Sequence, residues 1–207
     1  MALKKTDNLA EKSRLATDIA WESLYINPNH TLAYARTGLK YAQKANYPFG
    51  EATAYGTMGL YYDVVGDYNQ AIESYLEAIR VLEKMDSVEV NLASNYSNLA
   101  LIFDYIQDYE KAVNLYRKAA DQELDKAQYN LGEMYYYGRG VTKDYKLAIS
   151  WYRKSANQGH ADAQLFLGYM YANGKGVTEN DKLAVSWYRK AANQGYASGQ
   201  YNLGYMY

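Results

Sequence analysis

The sequence predicts an all-α protein, a right-handed α-solenoid superhelix of about eleven helices arranged as antiparallel hairpins. Two observations lead there. First, residues 125–160 overlay residues 161–196 without a gap and match at 22 of 36 positions. Second, small and apolar residues within each copy recur three and four apart, the spacing of one helix face. A hairpin with apolar stripes on more than one side cannot bury them alone, and stacked neighbours can. The count follows: two helices in each of five copies, plus one terminal helix.

The copies justify themselves in chain order. Residues 1–49 read as a degenerate N-terminal capping repeat, with residues 8–46 as its helical part. Residues 50–124 hold two copies in a looser pair, 54–79 and 94–119, in which Tyr68 and Tyr109, Ala71 and Ala112, and Tyr75 and Tyr116 are each 41 apart. In the first of these, Tyr55, Met58, Gly59 and Tyr62 form the stripe of the first helix, and Ala71, Tyr75, Ala78 and Leu82 that of the second. Gly66-Asp67 supplies a turn and an N-cap between them; Asp108 and Asp144 are caps at equivalent places. Residues 125–207 hold two complete copies and a third that stops after one helix. Gly59, Ala100, Gly132, Gly168 and Gly204 stand where two helices of a hairpin must approach closely. A helical glycine costs about 1 kcal/mol against alanine, so small residues at equivalent places imply a packing reason.

These residues carry two family resemblances. The order Tyr55, Met58-Gly59, Tyr62, Ala71, Tyr75, Ala78, repeated as Tyr96, Leu99-Ala100, Phe103, Ala112, Tyr116, Ala119, resembles tetratricopeptide (TPR) repeats. The downstream copies resemble Sel1-like repeats through Ala127, Leu131-Gly132, Tyr135, Gly138, Gly140-Val141, Ala148, Trp151-Tyr152 and Gly159. The same pattern returns at Ala163, Leu167-Gly168, Tyr171, Gly174, Gly176-Val177, Ala184, Trp187-Tyr188 and Gly195. The Sel1-type loop between helices is four residues longer than the tetratricopeptide one, since Leu99 to Leu131 spans 32 residues and Ala112 to Ala148 spans 36.

Composition narrows the chemistry. Of 207 residues 49% are hydrophobic and 22% charged, as in folded domains, with a net charge of −1, 26 tyrosines and no cysteine. Disulfides, thiol nucleophiles and cysteine-ligated metals are excluded. No apolar run approaches the roughly 20 residues of a membrane span. The start lacks a secretory h-region, so the expectation is cytoplasmic as given, or exported if a signal was removed. Charge is uneven: +3 over residues 1–50, −8 over 51–124 and +4 over 125–207. The glycine motifs YGRGV (137–141) and ANGKGV (172–177) lack the strand and full spacing of a phosphate loop and read as helix terminators in left-handed geometry. His30 and His160 lie in different copies without metal-ligand companions, and His160 reads as a half-exposed packing residue. No serine sits on a nucleophile elbow. Trp151 and Trp187 read as inter-repeat core. No catalytic residue, cofactor or metal is expected.

Function then rests on a surface. In stacked hairpins the first helices line the concave side, and the residues off the packing stripe face it. Thr57, Asn98, Asn130, Phe166 and Asn202 form one such row, and tetratricopeptide grooves use asparagine there to hold a peptide backbone, a role the resemblance implies for Asn98, Asn130 and Asn202. Asp63, Asp104 and Glu133 make the groove acidic, Leu101 is apolar, and Tyr129, Tyr136, Tyr137 and Tyr169 make its later part aromatic. The basic residues that grip a terminal carboxylate are missing. The expected function is a non-catalytic scaffold for an extended peptide or protein segment, basic toward the tetratricopeptide half. The alternative is a regulatory or sensor fragment of a larger bacterial signalling protein, or an engineered tetratricopeptide/Sel1 hybrid. Nucleic acid and membrane are not expected partners, given the acidic middle and a pI near 6.1. The terminal helix, with Leu203, Tyr205, Met206 and Tyr207, is expected to offer an apolar edge for self-association. Far-UV circular dichroism should show a helical spectrum; substantial strand content would overturn the fold.

Overall fold

The structure, a computed structural model, describes residues 6–85 and 89–206. Among them the regular structure is α-helical: α1 (Leu9–Ser23), α2 (Pro28–Lys44), α3 (Pro48–Val64), α4 (Tyr68–Leu82), α5 (Glu89–Tyr105), α6 (Tyr109–Asp121), α7 (Asp125–Tyr137), α8 (Tyr145–Asn157), α9 (Ala161–Ala172), α10 (Asp181–Asn193) and α11 (Ala197–Tyr205). The chain forms two compact units, 1–106 and 107–207, so α5 closes the first and α6 opens the second.

The helix starts are the ones the sequence marks. Asp67, Asp108, Asp144 and Asn180 each accept a backbone N–H from the first turn of α4, α6, α8 and α10, at 3.2, 3.4, 2.8 and 3.0 Å. Pro28 and Pro48 open α2 and α3, where a missing N–H costs nothing. His160 does more than pack. Its Nδ1 accepts the Ala163 N–H at 3.4 Å and caps α9, while its ring stacks on Tyr129 at 4.9 Å.

In the first unit each helix packs on the next, and α1 with α3 and α3 with α5 also touch. The odd helices therefore form one layer and α2 with α4 the other. In the second unit successive helices pack in the same way from α6 to α11.

The glycine within each hairpin is a seat for a tyrosine ring. A Cβ on Gly59 would lie 2.7 Å from the ring of Tyr75; on Gly132, 2.7 Å from Tyr152; on Gly168, 2.6 Å from Tyr188. Tyr75 and Tyr152 are fully buried and Tyr188 is 4% exposed. Gly204, at the same place in the last copy, has nothing within 4 Å. Beyond the hairpin, Gly140 and Gly176 lay the long loop on the preceding copy. Their φ angles are +67° and +72°, and a Cβ would meet the Tyr109 carbonyl oxygen at 2.4 Å and Tyr145 Cβ at 2.6 Å.

Polar clips join consecutive copies in the second unit. Gln158 Nε2 donates across the join to the Glu123 carbonyl at 2.9 Å and, within its own copy, to Gln128 Oε1 at 3.0 Å; Gln194 repeats this with Gly159 and Gln164, both at 2.9 Å. Arg117 and Arg153 donate to the hydroxyls of Tyr135 and Tyr171, 18 residues on, at 3.0 and 2.7 Å.

Two expectations need correction. Trp151 and Trp187 are half-buried rather than core, with Lys154 and Lys190 amines 4.1 and 4.0 Å from their ring centres. The next residue, about 100° further round the helix, faces the glycine, so Tyr152 and Tyr188 take the core. The apolar edge of the last helix is also smaller than expected. Leu203 and Met206 already pack against the core built from α8, α9 and α10, Tyr205 is 83% exposed, and Tyr207 lies outside the described residues.

Gly168→Leu should lower stability by ~1–3 kcal/mol or more, because the Tyr188 ring fills the space its side chain needs. Gly204→Leu, the same substitution where no ring sits, should leave stability unchanged or raise it. Thermal unfolding of the two variants side by side checks this; equal destabilisation would refute the ring-seat account.

Candidate functional site

In the first unit a groove of about 300 Å³ lies between α1, α3 and α5. Asn91, Ser94, Asn95 and Asn98 come from α5, and Thr53, Gly56, Thr57 and Leu60 face them from α3. Trp21, Ala52 and Leu82 complete the lining. Asn95 is ordered by its own helix, Nδ2 donating to the Asn91 carbonyl at 2.8 Å, and its Oδ1 lies 2.9 Å from where a Gly56 Cβ would be. A side chain at position 56 would therefore collide with the amide. The face offers amide and hydroxyl groups over a small-residue floor, which suits hydrogen bonding to a peptide backbone.

The corresponding face of the second unit is aromatic. Tyr136, Tyr137, Leu165, Phe166, Tyr169 and Asn202 surround a cavity of about 320 Å³ between α7, α9 and α11. Phe166 ties the rings together, with its centroid 5.9 Å from Tyr129, 6.3 Å from Tyr136 and 5.5 Å from Tyr152. Tyr136 meets Tyr137 edge-on at 4.9 Å. Such packing sets the rings in fixed orientations, so the face is formed before any partner arrives.

Burial and neighbouring charge show in the phenols. Burial, then hydrogen bonding to Tyr169, pushes Tyr136 up to about 12. Tyr129 is raised by burial first and then by the charges of Glu133 and Asp162; Tyr152 by burial first and then by Glu133. The Tyr152 hydroxyl is buried with no hydrogen-bond partner.

The expected site residues separate into those that line these cavities and those that do not. Asn98 lies in the first groove. Tyr136, Tyr137, Tyr169 and Asn202 line the second cavity, joined by Phe166. Tyr129 forms a half-buried floor beside it, against Phe166, Tyr152 and His160. Asn130, Glu133, Asp63, Asp104 and Leu101 line neither cavity; the first four are half-buried and Leu101 is 40% exposed. Trp21, Thr53, Asn91, Ser94 and Asn95 were not expected. Positions 91, 94, 95 and 98 do follow the i, i+3, i+4, i+7 spacing of one helix face, a polar stripe legible in the sequence. Among the described residues no group of three His, Cys, Asp or Glu is placed to hold a metal ion, and no helix is long and apolar enough to cross a membrane.

Comparison with known proteins now fits the geometry. The Sel1 repeat matches residues 125–160, 161–196 and 197–207, and the tetratricopeptide repeat matches residues 50–122. The crystal structure of a Sel1 repeat protein from Oxalobacter formigenes is 31% identical, covers 69% of this chain and 98% of its own, and superposes with a TM-score of 0.52. The chain belongs to the Sel1 repeat family. The crystal structure of c5321, a protective antigen present in uropathogenic Escherichia coli strains displaying an SLR fold, is 25% identical over 97% of this chain, with a TM-score of 0.69. The match spans 45% of that antigen's length. Helicobacter pylori cysteine rich protein B is 28% identical, over 64% of this chain and 92% of its own, with a TM-score of 0.50. No curated protein matches the sequence significantly. Tetratricopeptide and Sel1 repeat proteins are typically protein-interaction scaffolds.

A raised phenol pKa stabilises the fold fully below the unfolded tyrosine value of about 10 and loses that contribution as pH climbs through the folded value. Unfolding should therefore set in above about pH 10. Tyr152→Phe, which removes a buried hydroxyl lacking a partner, should be neutral or stabilising at pH 7 and should raise the pH of alkaline unfolding. Circular dichroism against pH checks both; a destabilised Tyr152→Phe would mean the hydroxyl has a partner.

Proposed function

We propose that the protein is a non-catalytic scaffold that takes extended peptide or protein segments, each unit offering its own odd-helix face. The observation that carries this is the asparagine stripe of α5 set against Thr53, Gly56 and Thr57 across an open groove. Amides spaced one helical turn apart present donors and acceptors to a strand-like backbone, and Gly56 leaves the room that the Asn95 amide occupies. Asp63 and Asp104, outside the groove lining near the C-terminal ends of α3 and α5, would act on association rate and partner choice more than on affinity. On the second unit, Tyr136, Tyr137 and Tyr169 offer a rigid aromatic pocket for an anchoring side chain, the type of residue that concentrates binding energy in interfaces.

An unbiased pull-down with the whole chain would supply a partner, and calorimetry with Asn98→Ala then tests the groove. The variant should keep its melting temperature and lose roughly 1–3 kcal/mol of binding, since a buried peptide amide is left without its partner. Full affinity after that substitution would refute the proposed groove.

A further inference from the structure

Among the described residues, none of the eleven that line the first unit's groove is charged. The surrounding sequence makes that absence selective. Residues 51–124 carry −8, yet no residue is charged between Glu51 and Asp63 on α3, nor between Glu89 and Asp104 on α5. Asp18 and Glu22, close to Trp21 on α1, also lie outside the lining. A charged side chain brought into this groove would lose its water and meet no counter-charge there.

The apolar surface within the groove is confined to one end. Odd helices of antiparallel hairpins run in the same direction, and Trp21, Leu60 and Asn98 come from the C-terminal halves of α1, α3 and α5. Ala52, Leu82 and Asn91 mark the other end, where Ala52 and Leu82 are each 1% exposed and offer a ligand almost no surface. Trp21 is 57% exposed and is the aromatic ring of the lining. Trp151 and Trp187 carry Lys154 and Lys190 on their faces; among the described residues no cation or ring rests on Trp21. Ring pairs gain from edge or offset contact beyond the area they bury, so an open indole favours an aromatic over an aliphatic side chain. Asn98 stands at the same end, which brings the backbone bearing such a ring beside the amide stripe.

We propose that the groove selects an uncharged stretch of its partner and seats one phenylalanine-type ring of that stretch on Trp21 and Leu60. This rests on the scaffold reading and narrows the class of segment that the first unit takes.

The test uses the full chain labelled with 5-fluorotryptophan, whose three indoles are followed by fluorine NMR, the Trp21 signal being assigned through Trp21→Phe. Blocked heptapeptides of glycine and serine carry Phe, Leu, Lys, Asp or Gly at the centre. The Phe peptide should shift the Trp21 signal saturably, leave Trp151 and Trp187 unmoved, and bind at least ten-fold more tightly than the Lys and Asp peptides. Lys is the decisive comparison, because the negative charge of the surrounding sequence would by itself favour it. Trp21→Ala should erase the preference for Phe over Gly at an unchanged melting temperature. Thr53→Asp, at an exposed position of the lining, should strengthen the Lys peptide about five-fold, so the neutral lining is tested by a gain as well as a loss. Lys or Leu binding as tightly as Phe, or a Phe preference that survives Trp21→Ala, would overturn the proposal. So would a Lys peptide that gains nothing from Thr53→Asp, or no saturable Trp21 shift at millimolar Phe peptide. If any of these occurs while a whole partner still binds in an Asn98-dependent way, the ring assignment alone falls. If Asn98-dependent binding is also absent, the scaffold reading falls with it.

Discussion

A tyrosine ring laid across a glycine holds each of three hairpins together. With no Cβ on the first helix, the second helix can bring a whole phenyl face to the backbone, and the ring covers what would otherwise be exposed peptide. Tyr75, Tyr152 and Tyr188 are buried for this reason, and the alanines at Ala71, Ala148 and Ala184, one turn earlier on the same face, are buried with them. The seat fixes helix rotation as well as spacing. Once Tyr152 is directed inward, its neighbour Trp151 must turn toward the helix flank, where Lys154 covers it.

The joins between copies use a different chemistry. In the second unit the Gln158 and Gln194 bonds to the preceding copy's carbonyls and the arginine-to-tyrosine bonds span 35 and 18 residues and link each copy to the next. Positive-φ glycines press the long loop onto the preceding helix start at Tyr109 and Tyr145. One solved relative is described as cysteine rich, whereas this chain has no cysteine. Here the hairpins rely on ring seats, and the joins on loop contact and hydrogen bonds.

The groove and the aromatic cavity lie on the odd-helix faces, beside the ring seats. Packing claims the glycine side of α3, α7 and α9; the residues about 100° away are not needed by the fold. In the first unit those positions are amides and hydroxyls, in the second they are rings. The two faces differ in chemistry although the hairpins beneath them share one design.

Read alone, the sequence carries the repeat period, the caps at Asp67, Asp108 and Asp144, and the small residues Gly59, Gly132 and Gly168 on which the rings sit. Each of these is a local or periodic property: a cap reads one turn ahead, a stripe has a period of 3.6, and a repeat reports its own neighbour. It also singled out Asn98, Tyr136, Tyr137 and Tyr169 as positions off the packing stripe, and these residues line the two cavities. Only the tertiary structure decided which of two adjacent aromatics enters the core, since Trp151 and Tyr152 are both apolar enough and the choice depends on the angle at which α8 meets Gly132. It likewise decided that Asn91, Ser94 and Asn95 meet Gly56 across a groove. These facts depend on which helices become neighbours and at what rotation, and a single helix carries no record of that.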